Sequence, residues 1–227
     1  MPTVLITGAN RGLGLEFTRQ YLADGWKVLA TCRNPISPGP LSQLHGSLEV
    51  HGLDVGDELQ ITRLAQDLGS ITIDLLINNA GLYGPKQYNL TNIDTQSWSE
   101  VFKINSIMPV KIASVFLNNL EAAKRPVIAN ISSLMGSIAD NNSSGGYIYR
   151  SSKAALNAAM KSLSNELKDK GIAVYLLHPG WVQTDMGGAN ASITPAESVS
   201  SMRKILNELT IKDSGSFFNY DGSVIPW

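Results

Sequence analysis

Short, nearly uninterrupted apolar runs alternate with longer amphipathic stretches, and this alternation constrains the fold more than any single residue does. The runs are TVLIT from Thr3, WKVLAT from Trp26, SLEVHGL from Ser47, IDLLIN from Ile73, PVIANI from Pro126 and IAVYLLH from Ile172. Between most of them lie LEFTRQYLA, ELQITRLAQDL, SWSEVFKINSIMPVKIASVFLNNL and a helical pattern from Ser151 to Lys168, which Gly171 stops. A strand that is apolar on both sides must be covered on both faces, and intervening helices supply the cover. The expected fold is therefore α/β, a doubly wound parallel sheet of six strands with helices on both faces. No repeat or linker interrupts the pattern over residues 1–227, so a single domain is expected, with NPISPGP (Asn34 to Pro40) as a surface loop.

In sheets of this Rossmann type, ligands bind in the crevice beyond the carboxyl ends of the strands. Here those ends carry TGANRGLG, TCRN, LDV, NNAG, SSLMG and HPGWVQTDMGG, so nearly every polar or glycine-rich cluster falls on one edge. In the first cluster, Gly8 permits a tight turn, Gly12 lets the backbone approach a pyrophosphate, and Gly14 lets the helix sit close to the sheet. The spacing departs from G-x-G-x-x-G, and a plain strand-to-helix turn is the competing account.

Tyr149 and Lys153 are four apart at the head of the helical pattern, which places them within roughly 40° on one face. Tyr147 is about 120° away from the lysine and cannot share that face. A phenol beside an ammonium has its anion stabilised, so its proton is easier to give and take near neutrality. The bland alternative is a tyrosine hydroxyl that anchors the helix start.

Composition narrows the function classes. The formal charge is -1 and no Lys/Arg run exceeds two residues, which argues against nucleic acid and an anionic membrane surface as partners. No apolar stretch approaches a membrane span, and MPTVLITGAN lacks the basic start of a signal peptide. Cys32 is alone, so no disulfide can form within the chain and a reducing, cytoplasmic setting is expected. His45, His51 and His178 are scattered, with no Cys/His pair at ligand spacing, so no catalytic metal is expected.

The octet Thr7 to Gly14 resembles the T-G-x-x-x-G-x-G signature of the short-chain dehydrogenase/reductase family. Asn78-Asn79-Ala80-Gly81, Tyr149-x-x-x-Lys153 and Pro179-Gly180 followed by Thr184 match that family in order, from Thr3 to about Gly188. Within it, Phe217 to Gly222 and the ending Ile225-Pro226-Trp227 resemble C-factor-like proteins and sniffer-type carbonyl reductases.

The resemblance implies an oxidoreductase that moves hydride between a nicotinamide and a small carbonyl or alcohol. Tyr149 would be the acid or base, Lys153 would lower its pKa and hold the nicotinamide ribose, and Ser133 would hold the carbonyl oxygen. Asn105 would help bind a water that links Lys153 to solvent. Ser132 is the rival to Ser133, because the interval to Tyr149 is longer than the family's and holds a small loop, Asn141 to Gly146.

For the cofactor, the resemblance assigns contacts to Gly8, Asn10, Arg11, Gly12, Leu13, Gly14, Asn79, Ala80 and Gly81. Asp54, with Val55, would meet the adenine amino group, and Val182 and Thr184, after Pro179 and Gly180, the carboxamide. An N-cap is the competing role for Asp54. NAD sites place an acid after the second strand, whereas Thr31 to Asn34 holds none. Arg33 and Arg11 are placed to meet a 2′-phosphate, which makes NADP(H) the expected cofactor.

A small-residue face, Ala154, Ala155, Ala158 and Ala159, together with a long helix near Trp98 to Leu120, resembles the family's four-helix contact and implies a homodimer or homotetramer. Tyr83, Met135, Tyr147, Trp181 and Met186 are candidate substrate walls, and the short run from Gly187 to Pro195 suggests a small, open lid. A dinucleotide-binding signalling protein of C-factor type, with little turnover, is the alternative function.

Overall fold

The computed structural model describes residues 1–86 and 90–227. Among these, seven strands form one sheet: β1 (Thr3–Ile6), β2 (Lys27–Cys32), β3 (Leu48–Gly52), β4 (Leu75–Asn78), β5 (Val127–Ile131), β6 (Ala173–His178) and β7 (Ser216–Asn219). Their order is β3-β2-β1-β4-β5-β6-β7, and every neighbouring pair is parallel. Strand order reverses at β1 and β4, which opens a crevice at their carboxyl ends.

Side chains alternate between two helical layers along each strand. Val4 and Ile6 of β1 belong to the cluster of Phe17 and Tyr21 from α1 (Gly12–Ala23) and Val199 and Met202 from α7 (Pro195–Glu208). Leu5 belongs to the other cluster, with Ile61 from α2 (Glu58–Leu68), Ile112 from α4 (Met108–Val115), and Leu156 and Met160 from α6 (Tyr147–Leu167). Both sets are buried, which is why the strands read as unbroken apolar runs. Asp57 caps α2 by accepting from the amides of Leu59 and Gln60, while Thr194 and Glu197 form a capping box on α7.

Three expectations are corrected. A seventh strand, β7, lies beyond the six read from the sequence; its only apolar residues are Phe217 and Phe218, so it presents no apolar run like the others. The single helix near Trp98 to Leu120 is instead α3 (Thr95–Phe102), a π turn over Lys103–Ile107, α4, and α5 (Leu117–Glu121). The π turn displaces Asn105 from the regular helical ladder, and such bulges cluster at functional positions. Helix α6 starts at Tyr147, four residues before the expected Ser151.

Strand β7 also directs the C-terminal residues. Ile225 donates to the carbonyl of Phe217, and the Phe217 and Trp227 rings stack at 6.0 Å. The segment then reaches the loop after β5: Ser137 Oγ donates to the Pro226 carbonyl (2.6 Å), and the amides of Ile138 and Ala139 donate to the Trp227 carbonyl (2.8 and 2.9 Å). Among the described residues, no helix is long and apolar enough to cross a membrane.

Phe217 is fully buried between β7 and α6, so Phe217→Ala should cost about 3–5 kcal/mol through lost transfer energy and the cavity left behind. Reversible urea unfolding would measure this, and a loss below about 1 kcal/mol would contradict the packing assigned to β7.

Candidate active site

The glycine turn between β1 and α1 is built against the end of β4. Asn79 Nδ2 donates to the carbonyls of Thr7 (2.8 Å) and Gly8 (3.1 Å), and the amides of Asn79 and Ala80 donate to Thr7 Oγ1, both at 3.0 Å. Gly8 and Gly12 have φ of 66° and 54°. At Gly14 an added Cβ would lie 2.3 Å from the Gly8 carbonyl oxygen, so only glycine lets α1 begin this close to the turn. The N-terminus of α1 therefore faces the crevice with its first amides free for an anion. Asn79, expected to border a cofactor, also shapes with its side chain the turn that would hold one.

Across the crevice lies the segment after β6. Thr184 faces the glycine turn, its Cγ2 being 3.4 Å from where a Cβ on Gly12 would sit. The segment is braced upon itself: Trp181 Nε1 donates to the Gly187 carbonyl (2.8 Å), Gly187 N donates to Thr184 Oγ1 (3.2 Å) and Gly188 N to the Thr184 carbonyl (2.8 Å). Met186 Sδ lies 4.0 Å from the Tyr149 hydroxyl. The short lid thus reaches the phenol through Met186, while most of its residues remain exposed.

Two cofactor expectations change in detail. Arg11 pairs with Asp185 at 2.7 Å, both well exposed, so it joins the turn to the lid rather than standing open. Arg33 is exposed at the end of β2, where no carboxylate pairs with it among the described residues. Asp54 is not an N-cap; its Oδ1 accepts from Gly56 N at 2.9 Å at the end of β3. Val182 is buried, and Ser198 Oγ donates to the Pro179 carbonyl (2.6 Å), which fixes the start of the lid.

At the ends of β5 and β4, Ser133, Tyr149, Lys153 and Asn105 are all buried. Ser132 Oγ donates to Asn157 Oδ1 of α6 (2.6 Å), which removes it from the site and leaves Ser133. The Ser133 side chain lies near enough to the Tyr149 hydroxyl to favour its ionised form, and it accepts from Met135 N (3.2 Å). Lys153 Nζ donates to the Ile131 carbonyl at 2.7 Å and lies 5.8 Å from the Tyr149 ring centroid.

The Asn105 side chain is bonded to protein groups on both of its polar atoms. Nδ2 donates to the Leu82 carbonyl (2.7 Å) and Ser152 Oγ (3.0 Å), and Oδ1 accepts from Leu82 N (2.8 Å). Ser152, Leu82, Thr7 and Asp185 were not singled out from the sequence. Their types are ordinary, and only their meeting across loops gives them a role. Tyr147 is half-buried, in keeping with its different helix phase.

Burial dominates the electrostatics of the pair in the protein without cofactor. Desolvation pushes Tyr149 up to about 12, against a smaller downward effect of the Ser133 side chain. Desolvation likewise brings Lys153 down to about 8. In the protein alone the phenol is a firmly protonated acid, and the amine is held by a carbonyl rather than by the phenol. Among the described residues, no group of three or more His, Cys, Asp or Glu could hold a metal ion.

A doubly wound sheet with a glycine turn at its switch point and a Ser-Tyr-Lys cluster opposite defines a dinucleotide-dependent class of α/β protein. Comparison with known proteins gives the family. Residues 2–193 match the model of the short chain dehydrogenases, and the chain belongs to that family of oxidoreductases. The C-signal protein of Myxococcus xanthus is 42% identical over 155 residues, which cover 68% of this chain and 93% of that one. Among solved structures, the carbonyl reductase Sniffer of D. melanogaster superposes with a TM-score of 0.94 at 34% identity, covering 100% of both chains. The NADPH-bound carbonyl reductase from chicken fatty liver gives 0.90 at 37% identity, covering 100% of this chain and 99% of that one.

The lysine's lowered pKa has a consequence for stability. Below about pH 8 the folded protein carries a buried ammonium that the unfolded chain would solvate; between about 8 and 10.5 the unfolded chain binds the extra proton, so this destabilisation is relieved as pH rises. Relative to Lys153→Met, the wild-type protein without cofactor should gain up to about 3 kcal/mol across that window. Paired urea titrations near the two ends of the window would show it, and a constant difference between the proteins would refute it.

Proposed function

We propose that this protein is an NADPH-dependent carbonyl reductase that acts on an aldehyde, ketone or quinone. The observation that carries the reading is the buried meeting of Ser133 and Tyr149, with Lys153 one helical turn on, opposite a glycine turn that can hold a pyrophosphate. The cradle fits a dinucleotide: the α1 N-terminus offers amides to phosphates, and Arg33 rather than an acid stands at the end of β2. Gly8, Asn10, Arg11, Gly12, Leu13 and Gly14 would hold the phosphates, Asp54 and Val55 the adenine, and Ala80, Gly81, Val182 and Thr184 the nicotinamide half. The NADPH-bound chicken reductase supports this choice of cofactor.

When bound, NADPH supplies the hydride. The chain supplies the proton. A phenol that burial keeps protonated is suited to give its proton to the carbonyl oxygen as negative charge develops there. Ser133, beside the phenol, is placed to hold that oxygen within reach of it. Lys153 keeps a positive charge close to the ring, which favours the tyrosinate left after transfer. Met186 sits where it must give way to a substrate, so lid movement accompanies binding.

A dinucleotide-binding signalling protein with little turnover is the second reading, supported by the likeness to C-signal. The intact serine, tyrosine and lysine favour turnover, because a sensor has no use for a proton donor there. NADPH consumption with a panel of aldehydes, ketones and quinones separates the two. The proposal includes one domain over residues 1–227 and a cytoplasmic setting, consistent with the buried, unpaired Cys32. It also includes a homodimer or homotetramer formed through the Ala154, Ala155, Ala158 and Ala159 face of α6, where Ala158 is exposed.

Tyr149→Phe should abolish turnover while NADPH still binds, and Tyr147→Phe should be mild; the reverse pattern would displace Tyr149 as the acid. NADPH should bind at least about tenfold more tightly than NADH, about 1.4 kcal/mol, and equal fluorescence titrations would remove the argument from Arg33.

A further inference from the structure

Tyr83 follows the Asn79-Ala80-Gly81 turn at the end of β4 and has so far stood only as a candidate substrate wall. Its ring stacks on that of Tyr149, with centroids 4.7 Å apart and planes inclined by 28°. Aromatic pairs in this arrangement attract beyond their simple burial, and a two-ring stack resists tilting of either ring.

The backbone on both sides of Tyr83 is fixed. Before it, Asn105 accepts from Leu82 N and donates to the Leu82 carbonyl, so one side chain satisfies both groups of that residue. After it, Gly84 has a φ of 83° and passes so close to two helices that a Cβ would meet Val101 Cγ2 at 2.9 Å and Ile148 Cγ2 at 3.3 Å. The other ring is tied to the same fixture. Asn105 Nδ2 donates to Ser152 Oγ, and Ser152 Oγ donates to the Tyr149 carbonyl at 2.8 Å. Ring, loop, asparagine, serine and ring thus form a closed circuit.

We propose that Tyr83 is a positioning residue for the reaction: its ring, stacked on that of Tyr149, sets the plane in which the phenol presents its proton. The proposal rests on the reading of Tyr149 as the proton donor. The phenol has two rotatable side-chain bonds, Ser133 meets only its tip, and Tyr83 restrains its face. The need is for a ring, not for the second hydroxyl.

The test uses the full chain with NADPH. Tyr83→Phe should keep kcat within about twofold of wild type, whereas Tyr83→Leu should lower it at least tenfold with the NADPH dissociation constant unchanged within about twofold. Crystals of Tyr83→Leu with NADP should show the Tyr149 ring tilted or displaced. A ring that stays in place, or a Tyr83→Leu kcat equal to that of Tyr83→Phe, overturns the proposal. If the wild-type protein reduces nothing in the carbonyl panel, the carbonyl-reductase reading fails, and the ring position in the crystal still decides whether Tyr83 positions Tyr149.

Discussion

Every strand of a parallel sheet ends on the same edge, and each leaves backbone groups there that no further strand can pair. A buried carbonyl or amide without a partner costs free energy comparable to a lost hydrogen bond, so polar side chains must complete the accounting. Asn79 takes the carbonyls of Thr7 and Gly8, Lys153 takes that of Ile131, Ser198 takes that of Pro179, and Asn105 takes both groups of Leu82. The chemistry-bearing residues are in large part the residues that close this account. Their geometry is fixed because the backbone needs them, before any ligand arrives.

That dual use explains how far the sequence could be read. Runs buried on both faces and glycine clusters at their ends are local patterns, and they specified the sheet, the turn at Gly8 to Gly14 and the Tyr149–Lys153 face. The choice of Ser133 over Ser132 depends on Asn157, which lies 25 residues from Ser132, and no local pattern carries that. The π turn at Asn105 has a local cause, because Pro109 lacks an N–H and crowds the carbonyl four residues before it, but the partners that the Asn105 side chain reaches are not local. Strand β7 offers only Phe217 and Phe218 as an apolar signal, and its burial comes from β6 and α6.

The electrostatics of the pair show the same limit of a sequence reading. Two residues four apart on a helix suggest an ammonium acting on a phenol, since sequence supplies spacing but not depth. At the depth these groups occupy, desolvation outweighs their mutual influence, raising one and lowering the other. The phenol is therefore tuned by the site as a whole: by Ser133 at its hydroxyl, by Lys153 near its ring and by whatever charge a bound nucleotide brings.

The contact between the loop after β5 and the far end of the chain bears on how this protein is made. Ser137 is held by the carbonyls of Pro226 and Trp227, which follow it by 89 and 90 positions. A chain emerging from the ribosome can form β1 to β5 and most of both helical layers while this loop still lacks its anchor. The strand end that bears Ser133 is already tied through Ser132 to Leu177 and Asn157, and the residues beyond β7 add the ties to Ser137, Ile138 and Ala139. A nascent chain short of Pro226 therefore lacks the contacts that fix the far side of this loop.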